Sequence, residues 1–431
     1  MVDAINLSRN NVKLLNDFNN LKFDSVCVNL FIITHLGQLK QMEALIKKQN
    51  IRKNYLLVLF TNKNLVIPQI VHNSFNSNLF KKILFLEIPF GVNRFEYKKL
   101  IDLEKRYKDI IQSISPRFVY LNSFEGHYSI LISIAKDNDS LVYLVEEGTA
   151  TYKICLNNYI DENNKELNYI FIKDKFMQTI GQTQLFKGMI KTYKNSRDFS
   201  KQSKMFIKSL WFSQPLQKMI LKQMGTDASK KALIPATNFD KVYSAFPHLL
   251  DNVFDGDKEY FFVYDNFDEQ ELILADGIIK KYNIQSEDVI YLSQRYFSDS
   301  ELYVLIVCDI LNTIVDSNKH IFIKLHPKEK EDVLNIFKIC VAKYKNRFTI
   351  IDDFNFLIEP VIVKSKINTV IGLTSTTLIY ANLLSNNIES ISIAKLLMTE
   401  LRLKGCAEME VFRLLDSHLD ILNLFNKVLI I

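Results

Sequence analysis

A chain of 431 residues exceeds the size at which one hydrophobic core usually stops growing, so two domains are expected. Its content of 48% hydrophobic and 24% charged residues is ordinary for a globular protein, and five widely spaced cysteines without a CxxC pair argue against a disulfide framework or a zinc site. There is no signal-peptide pattern and no apolar run long enough to span a bilayer, which argues against secretion by that route and against a membrane-spanning protein.

The net charge of +6 is unevenly distributed along the chain. Residues 182–231 contain eleven Lys/Arg and two acids, so this basic window alone carries +9. Such asymmetry fits a surface for an anionic partner, namely a polyanion, an anionic lipid or a nucleic acid, and it equally fits a solvated helix surface.

The first part of the chain alternates apolar strands with amphipathic helices. Strands are predicted at 26–34, 54–61, 82–88, 117–122 and 141–145. Near-continuous apolar runs separated by helices are typical of a parallel sheet covered on both faces. The alternation of strands and helices stops in residues 150–235. We interpret about 155–235 as a basic helical insertion in the first domain. This domain is predicted to span 1–250, with 239–247 as its closing segment.

The alternation resumes in a second predicted domain, 251–431, which ends in a helical tail. Its strands are predicted at 259–265, 288–293, 320–326, 347–352, 368–373 and 388–394. The predicted fold class is therefore α/β, with two Rossmann-like, doubly wound domains that face a cleft.

Polar side chains follow several predicted strands, and in open parallel sheets ligands bind beyond the carboxyl ends of strands. The strand at 141–145 is followed by Glu146, Glu147 and Gly148. Two adjacent carboxylates suit a general base, because each raises the pKa of the other, although acids also commonly precede a helix. Gly37 and Gln38 follow the first strand, and His127 follows the fourth.

The second domain has the features of a phosphate site. The segment "GLTSTTLIYA" (372–381) places Gly372 and the hydroxyls of Thr374, Ser375 and Thr376 where a strand turns into a helix. Free N–H groups and the helix dipole favour an anion there, and ordinary N-capping is the alternative. His326 leaves another strand between two lysines, Lys324 and Lys328, where it can bind a phosphate or serve a structural role.

Several other classes of site are disfavoured. The acidic stretches 137–139 and 255–257 lie in polar turns, where Asp, Asn and Gly are expected for backbone reasons, so no metal is predicted. The chain contains no GxGxxG, no GxxxxGK[ST] and no GxSxG motif, so the dinucleotide, P-loop and hydrolase interpretations fail.

Four segments in order, "VEEGTATYK", "FIKLHPKE", "FLIEPVI" and "IGLTSTTLIYA", resemble those of the bacterial capsule polysialyltransferases. The segments "ITHLGQLKQMEALIKK" and "NYLLVLFTNKN" look like the start of that family, so the resemblance covers about 30–400. It implies a glycosyltransferase of the GT-B type that is inverting and requires neither metal nor cofactor. The implied donor is CMP-sialic acid, and the implied acceptor is the non-reducing end of polysialic acid.

The resemblance also implies roles for individual residues. Glu146 matches the acid that deprotonates the acceptor, with Glu147 in reserve, and His326 matches the histidine that contacts the CMP phosphate and assists its departure. The expected donor-binding residues are Ser375, Thr376, Thr374, Gly372, Glu359, Pro360 and Lys324, with Glu359 on the cytidine ribose. The run of hydroxyl residues from Thr374 to Thr377, hereafter the hydroxyl motif, is richer in threonine than the same motif in relatives, which often carry serine there.

On the acceptor side we expect contacts from Gly37, Gln38, Lys201, Lys204 and Lys208. His127 is a further candidate, for which a structural role is equally open. The basic window can follow a polyanionic chain or dock on the anionic inner leaflet, where Trp211 and Phe212 favour partial burial. We therefore expect a cytoplasmic protein associated with the inner face of the membrane, with capsule assembly and export proteins as partners and without nucleic acid.

Three alternatives remain open at this point. The chain could be a single-sugar sialyltransferase, another polymerase of the same two-domain type, or a non-catalytic protein that binds polyanions or membranes. The last would explain the basic window but not the carboxylates and the His-Pro pair at strand ends.

Overall fold

The structure is a computed structural model that describes residues 12–14, 28–62, 65–89, 92, 95–156, 214–294, 296–297, 299–326, 331–344, 347–353 and 356–431. These residues form two compact units. The first unit runs to Glu147 and includes the described chain from residue 214 to Val263. The second unit combines Gly148–Leu156 with Tyr264–Ile431, so it is built from two separate stretches of chain.

The first unit contains an eight-stranded sheet in the order β1-β4-β3-β2-β5-β6-β7-β8, with every neighbouring pair parallel. Its strands are β1 (Val12–Leu14), β2 (Asn29–Ile33), β3 (Asn54–Thr61), β4 (Phe80–Ile88), β5 (Phe118–Leu121), β6 (Leu141–Val145), β7 (Lys241–Ser244) and β8 (Asp257–Tyr260). All five residues of β2 are buried, which explains why the central strands are continuously apolar.

The described helices are, in chain order, α1 (Leu36–Gln49), α2 (Val66–Ser74), α3 (Tyr97–Ile114), α4 (His127–Asp137), α5 (Thr149–Tyr152), α6 (Gln214–Met224), α7 (Asp227–Lys230), α8 (Glu269–Tyr282), α9 (Ser300–Ile314), α10 (Glu331–Val341), α11 (Ile358–Ser365), α12 (Thr376–Leu384), α13 (Ala394–Leu403) and α14 (Met409–Leu422). Helix α3 shows why such segments fold. Leu100, Leu103, Tyr107, Ile111 and Ile114 recur at helical spacing and are all buried, so one face packs in the core.

The second unit contains a six-stranded parallel sheet in the order β11-β10-β9-β12-β13-β14. Its strands are β9 (Val289–Leu292), β10 (Ile321–Lys324), β11 (Phe348–Ile351), β12 (Thr369–Gly372), β13 (Glu389–Ser392) and β14 (Val428–Ile430). This is the Rossmann strand order, and the six central strands of the first sheet repeat it. The predicted fold class of two doubly wound α/β domains is confirmed.

The division between the units differs from the predicted one in two places. The predicted strand at 259–265 opens the second domain in the sequence interpretation, whereas the observed strand β8 pairs with β7 in the first sheet. The first unit therefore extends to Val263 rather than to residue 250. Gly148–Leu156, which we assigned to the first domain, belongs to the second unit, and residues 157–213 of the predicted insertion lie outside the described residues.

The described ranges contain no helix that combines the length and the apolar character needed to cross a bilayer.

Candidate functional site

Glu146 lies at the carboxyl end of β6, between β5 and β7, and is 3% exposed. Its carboxylate accepts a hydrogen bond from the backbone N–H of Ala245 at 2.6 Å. Its own N–H donates to the carbonyl of Tyr243 at 2.9 Å, which continues the β6–β7 ladder. The end of the neighbouring strand therefore fixes both the backbone and the carboxylate of this residue.

Glu147 has a different set of partners, as expected from the alternation of side chains along an extended chain. Its side chain is 30% exposed and its carboxylate accepts a hydrogen bond from the Gln38 amide at 2.6 Å. His35 Nε2 lies 3.3 Å from the same oxygen, Oε1. The structure thus brings together the end of β6 and the start of α1, which are distant in sequence.

Gln38 is held in place from its other side. Its side-chain amide oxygen, Oε1, accepts hydrogen bonds from the backbone N–H of Thr34 at 2.6 Å and from the Thr34 hydroxyl at 3.0 Å. Because the amide oxygen is used in this way, the amide NH₂ is directed to Glu147. Gly37 lies beside it, where an added Cβ would come within 3.2 Å of the His35 ring. Among the predicted acceptor-binding residues that the structure describes, Gln38 is therefore hydrogen-bonded to Glu147.

His127 is buried at the first position of α4. Its Nδ1 lies 2.8 Å from the Tyr107 hydroxyl, and its ring stacks on Tyr128 with centroids 4.4 Å apart. Burial lowers the pKa of His127 to about 4, so the ring is neutral near pH 7. These contacts favour the structural one of the two roles that the sequence left open.

Asn122 was not among the predicted site residues, although its position directly after β5 could have indicated a role. Its side chain is buried, and its NH₂ group donates to the carbonyl of Val145 at 3.1 Å. The same group donates to Gln41 Oε1 at 2.9 Å. Asn122 therefore ties the end of β6, which carries the two acids, to helix α1.

In the second unit, Thr374 follows β12 and is buried. Its N–H donates to Gln294 Oε1 at 2.6 Å. Its hydroxyl lies 2.5 Å from the Tyr296 hydroxyl, which in turn lies 2.7 Å from Nδ1 of His418 on α14. Gln294 and Tyr296 were not anticipated, because they reach the hydroxyl motif from the end of a different strand, β9.

The next hydroxyls of the motif have separate partners. Ser375 is the N-cap of α12 and accepts from the N–H of Thr377 at 3.3 Å. Thr376 Oγ1 lies 3.4 Å from both the N–H and the hydroxyl of Thr149. Gly148 precedes Thr149 with φ +76°, and an added Cβ would lie 2.6 Å from Thr376 Cγ2. The glycine therefore allows close packing against Thr376 in addition to turning the chain.

Glu359 is buried in the first turn of α11. It accepts a hydrogen bond from the Thr377 hydroxyl at 2.8 Å. Burial raises the pKa of Glu359, and hydrogen bonds from Thr377 and Tyr264 and the charge of Lys324 oppose that rise. Pro360 is also buried within this first turn, where a missing N–H costs no helix hydrogen bond.

Lys324 ends β10 and is buried. Its ammonium donates to the carbonyl of Leu325 at 3.1 Å and lies 4.8 Å from the centroid of the Phe356 ring. His326 follows, half-buried, and the residues directly after it, 327–330, lie outside the described residues. Gly372 ends the adjoining part of the sheet, where an added Cβ would be in ordinary contact with Leu292 at 3.5 Å.

A family model described as alpha-2,8-polysialyltransferase (POLYST) matches residues 29–394 of the chain. The chain belongs to this family. The resemblance carried by the sequence motifs is thus confirmed, and membership makes the protein a glycosyltransferase of the sialyltransferase class.

Solved structures similar to this polysialyltransferase family member share little sequence with it. The UDP-GlcNAc 2-epimerase from Methanocaldococcus jannaschii has a TM-score of 0.42 and 12% identity, covering 92% of each chain. Arabidopsis thaliana UGT89C1 has a TM-score of 0.44 and 9% identity, covering 92% of this chain and 93% of its own. Acinetobacter baumannii MurG has a TM-score of 0.43 and 8% identity, covering 94% and 86%. A search of curated protein sequences found no match.

Some of the predicted features lie beyond the part of the chain that the structure describes. These are Lys201, Lys204, Lys208, Trp211 and Phe212 in the basic window. Among the described residues, no group of three or more His, Cys, Asp or Glu side chains is arranged to hold a metal ion.

Proposed function

We propose that this protein is an inverting, metal-independent sialyltransferase of the GT-B type that elongates capsular polysialic acid. It transfers sialic acid from CMP-sialic acid to the non-reducing end of the growing chain. The observation that supports this best is the carboxylate of Glu146, fixed at the end of β6 by the N–H of Ala245 at 2.6 Å. A general base must be held in one position relative to the hydroxyl that it deprotonates.

In the proposed reaction, a hydroxyl of the terminal acceptor sugar attacks C2 of the donor sialic acid. Glu146 takes the proton from this hydroxyl as the new C–O bond forms. The bond between C2 and the phosphate oxygen breaks, and its electron pair leaves with CMP. His326 donates a hydrogen bond or a proton to the departing phosphate. Attack from the side opposite to the leaving group inverts the configuration at C2.

The donor-side residues are proposed to act as follows. Ser375, Thr376 and the N-terminus of α12 bind the phosphate of CMP, because N–H and hydroxyl donors stabilise an anion and its developing negative charge. CMP is a stable anion once released, so its departure needs these donors rather than a metal ion. Glu359 accepts hydrogen bonds from the ribose hydroxyls. Its carboxylate already accepts hydrogen bonds from Thr377 and Tyr264, so in the complex it would accept from these two residues and from the ribose together.

The acceptor is a polyanion with one carboxylate per sugar, which suits the basic window. We propose that Lys201, Lys204 and Lys208 follow the polysialic acid chain, while the window as a whole docks on the anionic inner leaflet beside capsule assembly and export proteins. Gln38 positions Glu147 near the acceptor through its amide.

Charge reversal at the three lysines should shorten products without slowing transfer to a short acceptor. An equal loss of activity with short and long acceptors would contradict the proposed binding of the polysialic acid chain by these lysines.

The proposal is tested with purified protein, CMP-sialic acid and a labelled sialic acid oligomer in the presence of EDTA. A ladder of elongated products is expected. The Glu146→Gln variant should lose about 10²- to 10⁴-fold in turnover while its CMP affinity stays unchanged, because only proton transfer is removed. Glu410→Gln, at an exposed position in the first turn of α14, is a matched control that should behave as wild type.

Other outcomes of this assay would contradict the proposal in different ways. A single added sugar would indicate a simple transferase, and the absence of CMP release would refute sialyl transfer altogether. An inactive Glu147→Gln variant beside an active Glu146→Gln variant would move the base to Glu147.

A further inference from the structure

The four consecutive hydroxyl residues at the end of β12 divide into two kinds. Thr374 and Thr377 are buried, and their hydroxyls serve the protein. Thr374 contacts Tyr296, and Thr377 donates to Glu359 at 2.8 Å. The N–H of Thr374 is also used, by Gln294 at 2.6 Å. Both hydroxyls are thus already hydrogen-bonded to protein side chains, and Thr374 is the one of the two that the sequence interpretation included among the donor-binding residues.

Ser375 and Thr376 are the half-buried members of the motif. Ser375 caps α12 through its side chain. Thr376 lies next to Thr149, and its Oγ1 is 3.4 Å from the Thr149 N–H and 3.4 Å from the Thr149 hydroxyl. Contacts of this length between neutral groups are weak, and an anionic oxygen is a much stronger acceptor for the same donors.

The backbone at Gly148 makes this approach possible. Its φ of +76° is a conformation that side chains with a Cβ rarely adopt, and its Cα faces Thr376. An added Cβ would lie 2.6 Å from Thr376 Cγ2 and 2.8 Å from Thr376 Oγ1. Thr149 belongs to the same unit as Thr376, so the segment that follows the acids contributes directly to the hydroxyl motif.

We propose that Thr149 is a further ligand of the donor phosphate, through its backbone N–H and its hydroxyl, and that it acts together with Thr376. The inference rests on the proposed function, in which a nucleotide monophosphate is the leaving group. Thr149 is half-buried and uncharged, and it supplies two donors from one residue. The phosphate replaces Thr376 as the acceptor of these donors, while Thr374 retains its structural contacts.

The experiment compares the binding of CMP and of cytidine, which lacks the phosphate. Thr149→Val removes the hydroxyl while nearly keeping the shape, so the variant should bind CMP about 10-fold more weakly, the effect of one hydrogen bond to a charged group. Its affinity for cytidine should be unchanged. Thr149→Ser should restore CMP binding to within about 2-fold of wild type. Thr313→Val, on the exposed side of α9, is the control and should leave both affinities unchanged.

The outcomes separate this inference from the proposed function. Wild-type protein that binds CMP, together with a Thr149→Val variant of equal CMP affinity, would refute the role of Thr149 and leave the proposed function intact. An equal loss of CMP and cytidine affinity would also refute it, because it would indicate a structural role. Wild-type protein that binds no CMP would refute both. Thr149→Ala provides a second truncation if the valine variant does not fold.

Discussion

Substitution of Gly148 by alanine should damage the second unit, and the structure gives two separate reasons. The backbone of Gly148, with φ +76° and ψ −145°, lies in a region that is almost restricted to glycine, where another residue costs about 1–3 kcal/mol. The new Cβ would also lie 2.6 Å from Thr376 Cγ2, well inside normal contact distance. Together these effects should lower the free energy of unfolding by about 2–4 kcal/mol.

The two contributions can be separated by two further variants. Gly405 also has a positive φ, of +81°, but an added Cβ there meets nothing within 4 Å, so Gly405→Ala reports the cost of a substitution at positive φ without a steric clash. Thr376→Ser removes the Cγ2 methyl group, which makes the shorter of the two contacts under 3.0 Å with the new Cβ, and keeps Oγ1. In the Thr376→Ser background, Gly148→Ala should therefore cost about 1 kcal/mol less than in wild type.

Urea denaturation gives the free energy of unfolding of each variant, and CMP binding shows whether the hydroxyl motif survives. The Gly148→Ala variant should be less stable than the Gly405→Ala variant and should bind CMP more weakly. The reasoning fails if the two alanine variants are equally stable, or if Thr376→Ser does not reduce the cost at Gly148.

Two predictions concern pH. Burial lowers the pKa of His127 to about 4, so between the unfolded value of 6.5 and this value the unfolded chain binds a proton that the folded chain does not. Protonation of this group in the unfolded chain should lower the free energy of unfolding by about 3 kcal/mol between pH 7 and pH 4. The His127→Gln variant should therefore show a shallower slope of unfolding free energy against pH. An unchanged slope would contradict this prediction. Burial raises the pKa of Glu359 in the folded protein above its value in the unfolded chain. The ionisation of Glu359 therefore lowers the free energy of unfolding as the pH rises through the pKa of the folded protein. Glu359→Gln should therefore unfold at higher urea than wild type at pH 7 while binding cytidine more weakly; a variant less stable at every pH would refute this.

Much of the fold could be predicted because the buried strands are continuous apolar runs. Strand β3, predicted at 54–61, is observed at Asn54–Thr61, with seven of its eight residues buried. Strands β1 and β14 were not predicted, since three residues carry too little pattern. Strand β8, with the sequence DKEY, is polar and lies at the sheet edge, so the boundary between the units was predicted too early.

The candidate site could be predicted only in part, for a physical reason. The topology of a parallel sheet collects strand ends at one edge, so Glu146, Glu147 and the hydroxyl motif could be found from the sequence. Their partners could not be found in this way. Gln38 binds an acid 109 positions away, and Thr149 meets a hydroxyl 227 positions away. Local patterns do not determine which long-range neighbour a side chain selects.

The assembly of the second unit from two separate stretches affects how the chain folds during translation. Tyr152, fully buried, packs edge-on against Phe425, with ring centroids 5.2 Å apart. The ribosome makes Gly148–Leu156 early, and every strand that the structure describes in the first sheet has been synthesised once β8 has emerged. The contact between Tyr152 and Phe425 can form only after Phe425 has been synthesised. In a nascent chain the ring of Tyr152 therefore lacks its contact with Phe425 through most of the synthesis of the second unit, and a fragment that starts at Tyr264 lacks the Tyr152 ring altogether.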